Sequence, residues 1–253
     1  MTDNPAMHLL AKQLLAARHA RVTLDDLDST LLPQSTADAY QVQQLTLAAL
    51  GGAGAFKIGA SPQRDVPVYS PIPANKVVAT DSEIAYQDFS RVGLELEIAF
   101  RFKSELNAAH AGFSDEEILN HIGQMMVTVE IVDSRYTKWP QVDRLAQLAD
   151  LQNNGALIVG DPVPYDPEFD FMSPEMSLAC GPQRIFSGNG SNPVGDPRHL
   201  LVLWVRKLIG EGQAIAASSV ITTGSYSGIY WAPGPDEVVG EIAGIGRVAF
   251  SLV

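Results

Sequence analysis

The sequence predicts a mixed, β-rich α+β fold, read as a single domain over residues 1–253 with a helical section over 1–52 and a strand-rich core over 53–253. Three observations carry this reading. The first fifty residues hold two helical patterns and no strand pattern. From residue 53 onward, short apolar or alternating runs dominate, separated by Pro-rich and Gly-rich connections. No repeat, low-complexity tract or interdomain linker divides the chain, and strands and helices do not alternate in the regular way of a doubly wound sheet.

Residues 4–20, "NPAMHLLAKQLLAARHA", open with Asn4 as N-cap and Pro5 at the first helical position, and Met7, Leu10 and Leu14 recur at helical spacing. A second helix covers "STADAYQVQQLTLAAL" and is closed by Gly51 and Gly52. "GAFKIGA", "KVVAT" and "LELEIAFRF" read as strands. "SDEEILNHIGQMM" has Ser114 and Glu117 at capping-box spacing and Ile118, Ile122 and Met125 on one face, which predicts a helix running into a buried strand, "VTVEIVDSRY". Residues 187–197, "SGNGSNPVGDP", read as a loop, and "DPRHLLVLWVRKLI" as a helix capped by Asp196 and ended by Gly210 or Gly212. The tail holds three strand-like pieces, "AIAASSVITTGS", "EVVGEIAG" and "GRVAFSLV".

Composition narrows the function. With 46% hydrophobic and 18% charged residues the chain is globular rather than disordered. A net charge of −12 opposes a phosphate-tracking nucleic-acid surface. Cys180 is the sole cysteine, which excludes an intrachain disulfide and a thiolate cluster. The start, "MTDNPAMHLL", lacks a secretory pattern, and no apolar run approaches the roughly 18–20 residues of a membrane span, so a cytoplasmic protein is expected, with neither nucleic acid nor membrane as partner.

The chemistry gathers on four residues. Glu95 and Glu97 share one side of the strand "GLELEIAF", opposite Leu94, Leu96 and Ile98. Either that side is solvated, or a divalent cation offsets the two like charges, since hard ions such as Mg²⁺ and Mn²⁺ take oxygen ligands. Glu130 sits between Val129 and Ile131 in an otherwise buried run and needs Arg135 or a metal as partner. Taken together, a three-carboxylate metal site is the most economical account of Glu95, Glu97 and Glu130. Lys57, between Phe56 and Ile58, is either a surface lysine or a group that binds a carboxylate or moves a proton, the last requiring a depressed pKa. The five histidines have no metal-ligand spacing, and no G-x-S-x-G elbow is present. Trp139, Trp204 and Trp231 read as core or pocket wall.

The order "FKIG", "GLELEIAF", "VEIVDSRY" with Trp139 behind it, "NNGALIVGDPV", "TTGSYSG" and "GIGRVAFSLV" resembles the 2-keto-4-pentenoate hydratase and 4-oxalocrotonate decarboxylase branch of the fumarylacetoacetate hydrolase superfamily. The resemblance covers nearly the whole chain. It implies the superfamily's C-terminal-domain fold with a helical N-terminal section, homo-oligomers, and Mg²⁺ or Mn²⁺ on Glu95, Glu97 and Glu130. It further implies Lys57 as the lysine of the K-I-G motif and Gly224 and Ser225 as pocket-lining residues. The expected activity is that of a metal-dependent lyase, a hydratase acting on a small 2-oxo acid or its 2-hydroxydienoate tautomer, as in aromatic catabolism. Decarboxylation of an oxalocrotonate-like diacid, hydrolysis of an acylpyruvate carbon–carbon bond, and an inert partner subunit stay open as alternatives. Two departures from the branch stand out. Val68 takes the place of an aspartate that works with the lysine, leaving Asp65 as the nearby catalytic candidate, and Leu151 replaces the asparagine that follows Asp150. Arg135 either meets a diacid's distal carboxylate bidentately or pairs structurally with Glu130 or Asp133.

Overall fold

A computed structural model describes residues 4–25, 27–60 and 66–253. In chain order the described elements are α1 (Pro5–Ala20), α2 (Thr36–Ala49), β1 (Ala53–Ala60), β2 (Pro67–Pro73), β3 (Val77–Ala79), β4 (Ser82–Ile84), β5 (Gly93–Phe102), α3 (Asp115–Asn120), β6 (Ile122–Val132), α4 (Arg144–Ala149), β7 (Asn154–Val159), β8 (Val163–Pro164), β9 (Glu175–Cys180), β10 (Gln183–Asn189), α5 (Pro197–Gly210), β11 (Val220–Ser225), β12 (Tyr230–Trp231), β13 (Glu237–Ile242) and β14 (Gly246–Leu252). The class is mixed and β-rich, as the sequence predicts. No described helix is long and apolar enough to cross a membrane.

A larger sheet runs in the order β2-β1-β11-β5-β6-β7-β3, with β12 beside β5 and β8 beside β6; a smaller one runs β10-β9-β13-β14-β4. Proline punctuates β2, which is tolerated because β2 is an edge strand. The main core lies between the sheets. Leu94, Leu96, Ile98 and Phe100 of β5 and Val127, Val129 and Ile131 of β6 share one cluster with Val238, Ile242, Val248 and Phe250 of the smaller sheet. Each such side chain stabilises the fold by about 1.5–3 kcal/mol through the apolar surface it removes from water. The two sheets meet closely at Gly240 of β13, where a Cβ would come within 2.5 Å of the Leu96 side chain.

The helices form as their caps dictate. Asn4, Ser35 and Asp196 each accept a hydrogen bond from a first-turn amide of α1, α2 and α5. Met7, Leu10 and Leu14 of α1 pack with Ala39 and Val42 of α2 and with Ala146 and Leu148 of α4 in a second cluster. Gln43 ties that cluster to the sheet, its side-chain amide donating to Ser70 Oγ at 2.6 Å and to the Leu148 carbonyl at 2.6 Å. Trp204 of α5 is fully buried against Phe56 of β1, with ring centroids 5.3 Å apart.

Two predicted elements are corrected. The capping box of Ser114 and Glu117 does start α3, but the helix ends at Asn120, and Ile122 and Met125 belong to β6. Ile118, Ile122 and Met125 match a helical face by coincidence, whereas Met125, Val127, Val129 and Ile131 keep the period of two that a sheet demands. The predicted loop over 187–197 begins late, because β10 runs to Asn189 in a hairpin with β9.

Candidate active site

Register assembles the site. β5 and β6 pair antiparallel so that Glu95 lies opposite Glu130 and Glu97 opposite Thr128. β1 and β11 pair in parallel, setting Lys57 beside Thr222, and β11 pairs with β5 so that Ser225 lies opposite Glu97. The pleat therefore turns Glu95 and Glu97 away from the main core, onto the face where Ala55, Ala99, Met126, Leu157 and Val220 form a small cluster of their own. Glu97 is 2% exposed and Glu130 0%, whereas Glu95 keeps partial exposure, so the solvated-strand reading does not hold for Glu97.

Two of the three carboxylates are held in place. Glu97 Oε2 accepts from the Thr222 hydroxyl and, at 2.9 Å, from the Gly224 amide. The pairing of β11 with β5 is irregular between Thr222 and Ser225, and Gly224 has φ +96°, a conformation that favours glycine. Thr222 Oγ1 also lies 3.1 Å from Thr128 Oγ1. Glu130 Oε1 accepts from Lys57 Nζ at 2.7 Å and from Asn154 Nδ2 at 2.9 Å. Its other oxygen, Oε2, is buried without a hydrogen-bond partner.

Lys57 Nζ donates a second hydrogen bond, 3.1 Å long, to the Gln152 carbonyl. That carbonyl belongs to an unusual turn: Leu151, Gln152 and Asn153 have φ of 50°, 51° and 60°, three non-glycine residues in succession in the left-handed region. The turn gives consecutive residues separate tasks. Gln152 holds Lys57, the Asn153 carbonyl accepts from the Asp133 amide at 2.8 Å, and Asn154 reaches Glu130.

Glu95, Glu97 and Glu130 each offer an oxygen, and these oxygens lie within 4.8 Å of one another. Burial, then the charge of Glu130, pushes the Glu95 carboxyl up to about 7; burial, then Glu130 and Glu95, pushes Glu97 up to about 8. For Lys57 burial pulls downward, but the charges of Glu130, Glu95 and Glu97 outweigh it and the net direction is up. The depressed lysine that proton transfer was expected to need is thus not what these carboxylates produce by themselves. Once ionised, three carboxylates against one ammonium leave two negative charges for a divalent cation to offset, and hard oxygen donors with one orphaned oxygen fit such an ion.

A cavity of about 720 Å³ opens at Lys57, with Val68, Leu148, Gln152 and Asn153 among its walls. Val68 brings no acid–base group to it. Asp65 lies outside the described residues. Ser225 directs its hydroxyl to the Gly228 carbonyl at 3.0 Å.

Arg135 is a correction. It is 0% exposed and committed through Nε to Asp150 at 2.7 and 2.9 Å, and through Nη1 to Asp133 at 3.4 Å. Its partner is chiefly Asp150, not Glu130, and a guanidinium sealed in this way has no face left for a substrate carboxylate. Asn154, Thr222 and Gln152 were not foreseen, because single polar residues beside a motif form no pattern.

No protein-family profile matches the chain. A 2-keto-4-pentenoate hydratase of Paraburkholderia phymatum is 22% identical over 267 residues, spanning 100% of this chain and 99% of the relative. The 4-oxalocrotonate decarboxylase from Pseudomonas putida G7, solved with magnesium and adipate, superposes with a TM-score of 0.84 at 19% identity, covering 100% of this chain and 99% of that one. The chain shares the fold of this decarboxylase along its whole length. The fumarylpyruvate hydrolase from Pseudomonas aeruginosa, solved with Mn²⁺ and pyruvate, covers 79% of this chain and 88% of its own at 13% identity, with a TM-score of 0.54. The fold is thus matched end to end by the decarboxylase and over most of the chain by the hydrolase.

A pH signature follows from the carboxylates. In the metal-free protein Glu95 and Glu97 keep protons that the unfolded chain, with carboxyls near 4.5, has already released. Their contribution to stability therefore falls as pH rises from about 5 to about 8 and levels off above that. Saturating Mg²⁺, which displaces those protons, flattens the profile. Denaturant melts across this range, with EDTA and with Mg²⁺, read the difference. Metal-free stability that stays flat in both series would mean that the carboxyls do not share a dry site.

Proposed function

We propose that this protein is a metal-dependent lyase, a hydratase acting on a small 2-oxo acid or its 2-hydroxydienoate tautomer, with residues 1–253 serving as one catalytic unit. Glu95, Glu97 and Glu130 would hold Mg²⁺ or Mn²⁺. The observation that carries the reading is the orphaned Oε2 of Glu130, buried in a three-carboxylate cluster beside a lysine that opens onto a cavity. The homo-oligomeric, cytoplasmic character of such enzymes is proposed with it.

When bound, the cation supplies Lewis-acid stabilisation for negative charge on the oxygens of a 2-oxo acid. The chain does the rest. Thr222 and Gly224 fix Glu97, and Asn154 with Lys57 fixes Glu130, so these two carboxylates need little reorganisation during the reaction. Lys57 Nζ lines the cavity and is steadied by the Gln152 carbonyl. In hydration, a proton moves from the 2-hydroxyl to the carbon chain and water then adds across the remaining double bond; Lys57 is placed to carry that proton. Val68 and Leu148 keep the surroundings apolar, which limits stray water.

Decarboxylation of an oxalocrotonate-like diacid is the second reading, favoured by the full-length superposition on a decarboxylase. It draws on the same electron sink, with CO₂ leaving in place of water adding. Carbon–carbon hydrolysis is less well supported, since no histidine lines the cavity among the described residues to activate water. The test is to mix the protein with 2-hydroxypenta-2,4-dienoate or an oxalocrotonate, with Mg²⁺ or with chelator, and to follow loss of the dienol absorbance with product identification. Metal-dependent formation of a 4-hydroxy-2-oxo acid supports the hydratase, and release of CO₂ the decarboxylase. Metal binding without turnover of either substrate rules out both and favours an inert subunit, in keeping with the absent acid at Val68.

A further inference from the structure

The cavity that opens at Lys57 carries an electrostatic feature which the carboxylate cluster does not explain. The chain has a net charge of −12, yet the described residues lining this cavity include Lys57, Arg144 and Lys207 and no aspartate or glutamate. Two of the three cations already have partners: Lys57 is held by Glu130 at 2.7 Å and Lys207 by Glu211 at 2.5 Å. Arg144 has no hydrogen-bond or ion-pair partner for its side chain among the described residues. It heads α4 directly behind the cap Asp143, whose carboxylate is occupied by the Leu145 amide at 2.8 Å.

The same wall holds apolar side chains, among them Val68, Leu145 and Leu148, beside the amides of Gln147, Gln152 and Asn153. At about 720 Å³ the cavity also exceeds what a five-carbon acid fills. A ligand matching this lining has an oxo-acid head for Lys57, some apolar surface, and a second anionic group for Arg144. Arginine suits the tail, because its planar fork binds carboxylate bidentately and always carries charge. Being exposed, Arg144 gives up little hydration when an anion arrives, and local positive charge counters the repulsion that a −12 protein exerts on a dianion.

We propose that Arg144 is the specificity-determining residue of the cavity, and that it selects linear 2-oxo acids with a second carboxylate over monocarboxylic acids of the same length. The proposal rests on the reading of the carboxylate cluster and Lys57 as the site that binds the oxo-acid head. It gives Arg144 the role that the sequence suggested for Arg135.

The test is calorimetric, on the full chain with saturating Mg²⁺, and uses two six-carbon probes: 2-oxoadipate with two carboxylates and 2-oxohexanoate with one. The wild-type protein binds 2-oxoadipate roughly tenfold or more tightly than 2-oxohexanoate, the scale of one charge-assisted bidentate contact. In Arg144→Gln the ratio of the two affinities collapses to about twofold or less, whereas Lys207→Gln, which removes an already paired charge, keeps most of the preference. Equal binding of the two probes by the wild-type protein overturns the proposal, and so does a preference that survives in Arg144→Gln. Binding of neither probe in the presence of Mg²⁺ removes the reading of the head site as well, so the two failures are told apart. Arg144 is exposed on a six-residue helix, and circular dichroism of the variant separates lost recognition from lost folding.

Discussion

Glu130→Ala abolishes cation binding and turnover together. In the wild-type protein Glu130 offers one oxygen to Lys57 and Asn154 and the other to no described residue, so its replacement removes the group on which the site converges. It also strands the Lys57 ammonium between Glu95 and Glu97 without its nearest counter-charge. The loss of kcat/KM is about a thousandfold or more, corresponding to the several kcal/mol of transition-state stabilisation that a catalytic cation supplies. Titration calorimetry with Mg²⁺ and Mn²⁺, run beside the dienol assay, checks both halves. Full activity with the cation still bound would remove Glu130 from the site. Glu130→Gln sharpens the comparison, because it keeps the shape and removes the charge. If that variant also fails to bind the cation, charge rather than packing is what the site needs.

The second large effect is structural. Asp150→Ala leaves the Arg135 guanidinium buried with only Asp133, at 3.4 Å, and the Asp150 carbonyl nearby at 3.3 Å. Removing one partner of a buried pair costs about 3–5 kcal/mol, since the remaining charge has no water to return to. For a chain of this size the melting temperature then falls by roughly 6–20 °C. An exposed pair offers the contrast. Arg21 and Asp88 are only 2.5 Å apart but 50% and 39% exposed, and Asp88→Ala costs no more than about 1 kcal/mol. Thermal melts of both variants measure the ratio. An Asp150→Ala protein that melts within a degree or two of wild type would show that Arg135 is compensated by something other than Asp150.

These two residues mark how far sequence reasoning reaches. Glu130 stood out because a carboxylate amid valines and isoleucines contradicts its surroundings, and the same contradiction exposed Glu95 and Glu97. The caps Asn4, Ser35 and Asp196 were visible because cap chemistry is local. Arg135 was also conspicuous, but its partner lies fifteen residues away across a turn, and no periodicity connects the two. Helix α3 was extended too far because β6 begins within two residues of its end, and Ile118, Ile122 and Met125 happen to fall at helical spacing across the junction. The β9–β10 hairpin had a signal of its own. Met176, Leu178 and Cys180 alternate inward up to Gly181, which turns at φ +53°. Arg144 had none, being a single cation on a short helix.

The left-handed turn of Leu151, Gln152 and Asn153 sets a boundary on how this protein can be improved. Each non-glycine residue in that conformation costs about 1–2 kcal/mol, so a search for thermostability would be drawn to Gln152→Gly or Asn153→Gly as places where strain can be released. The same three residues lead from the Asp150–Arg135 pair to the lysine and carboxylate of the site, and a looser turn lets those groups wander. Stability gained there is taken from catalytic alignment, and a thermostable variant of this enzyme is better sought on the exposed faces of α1 and α2.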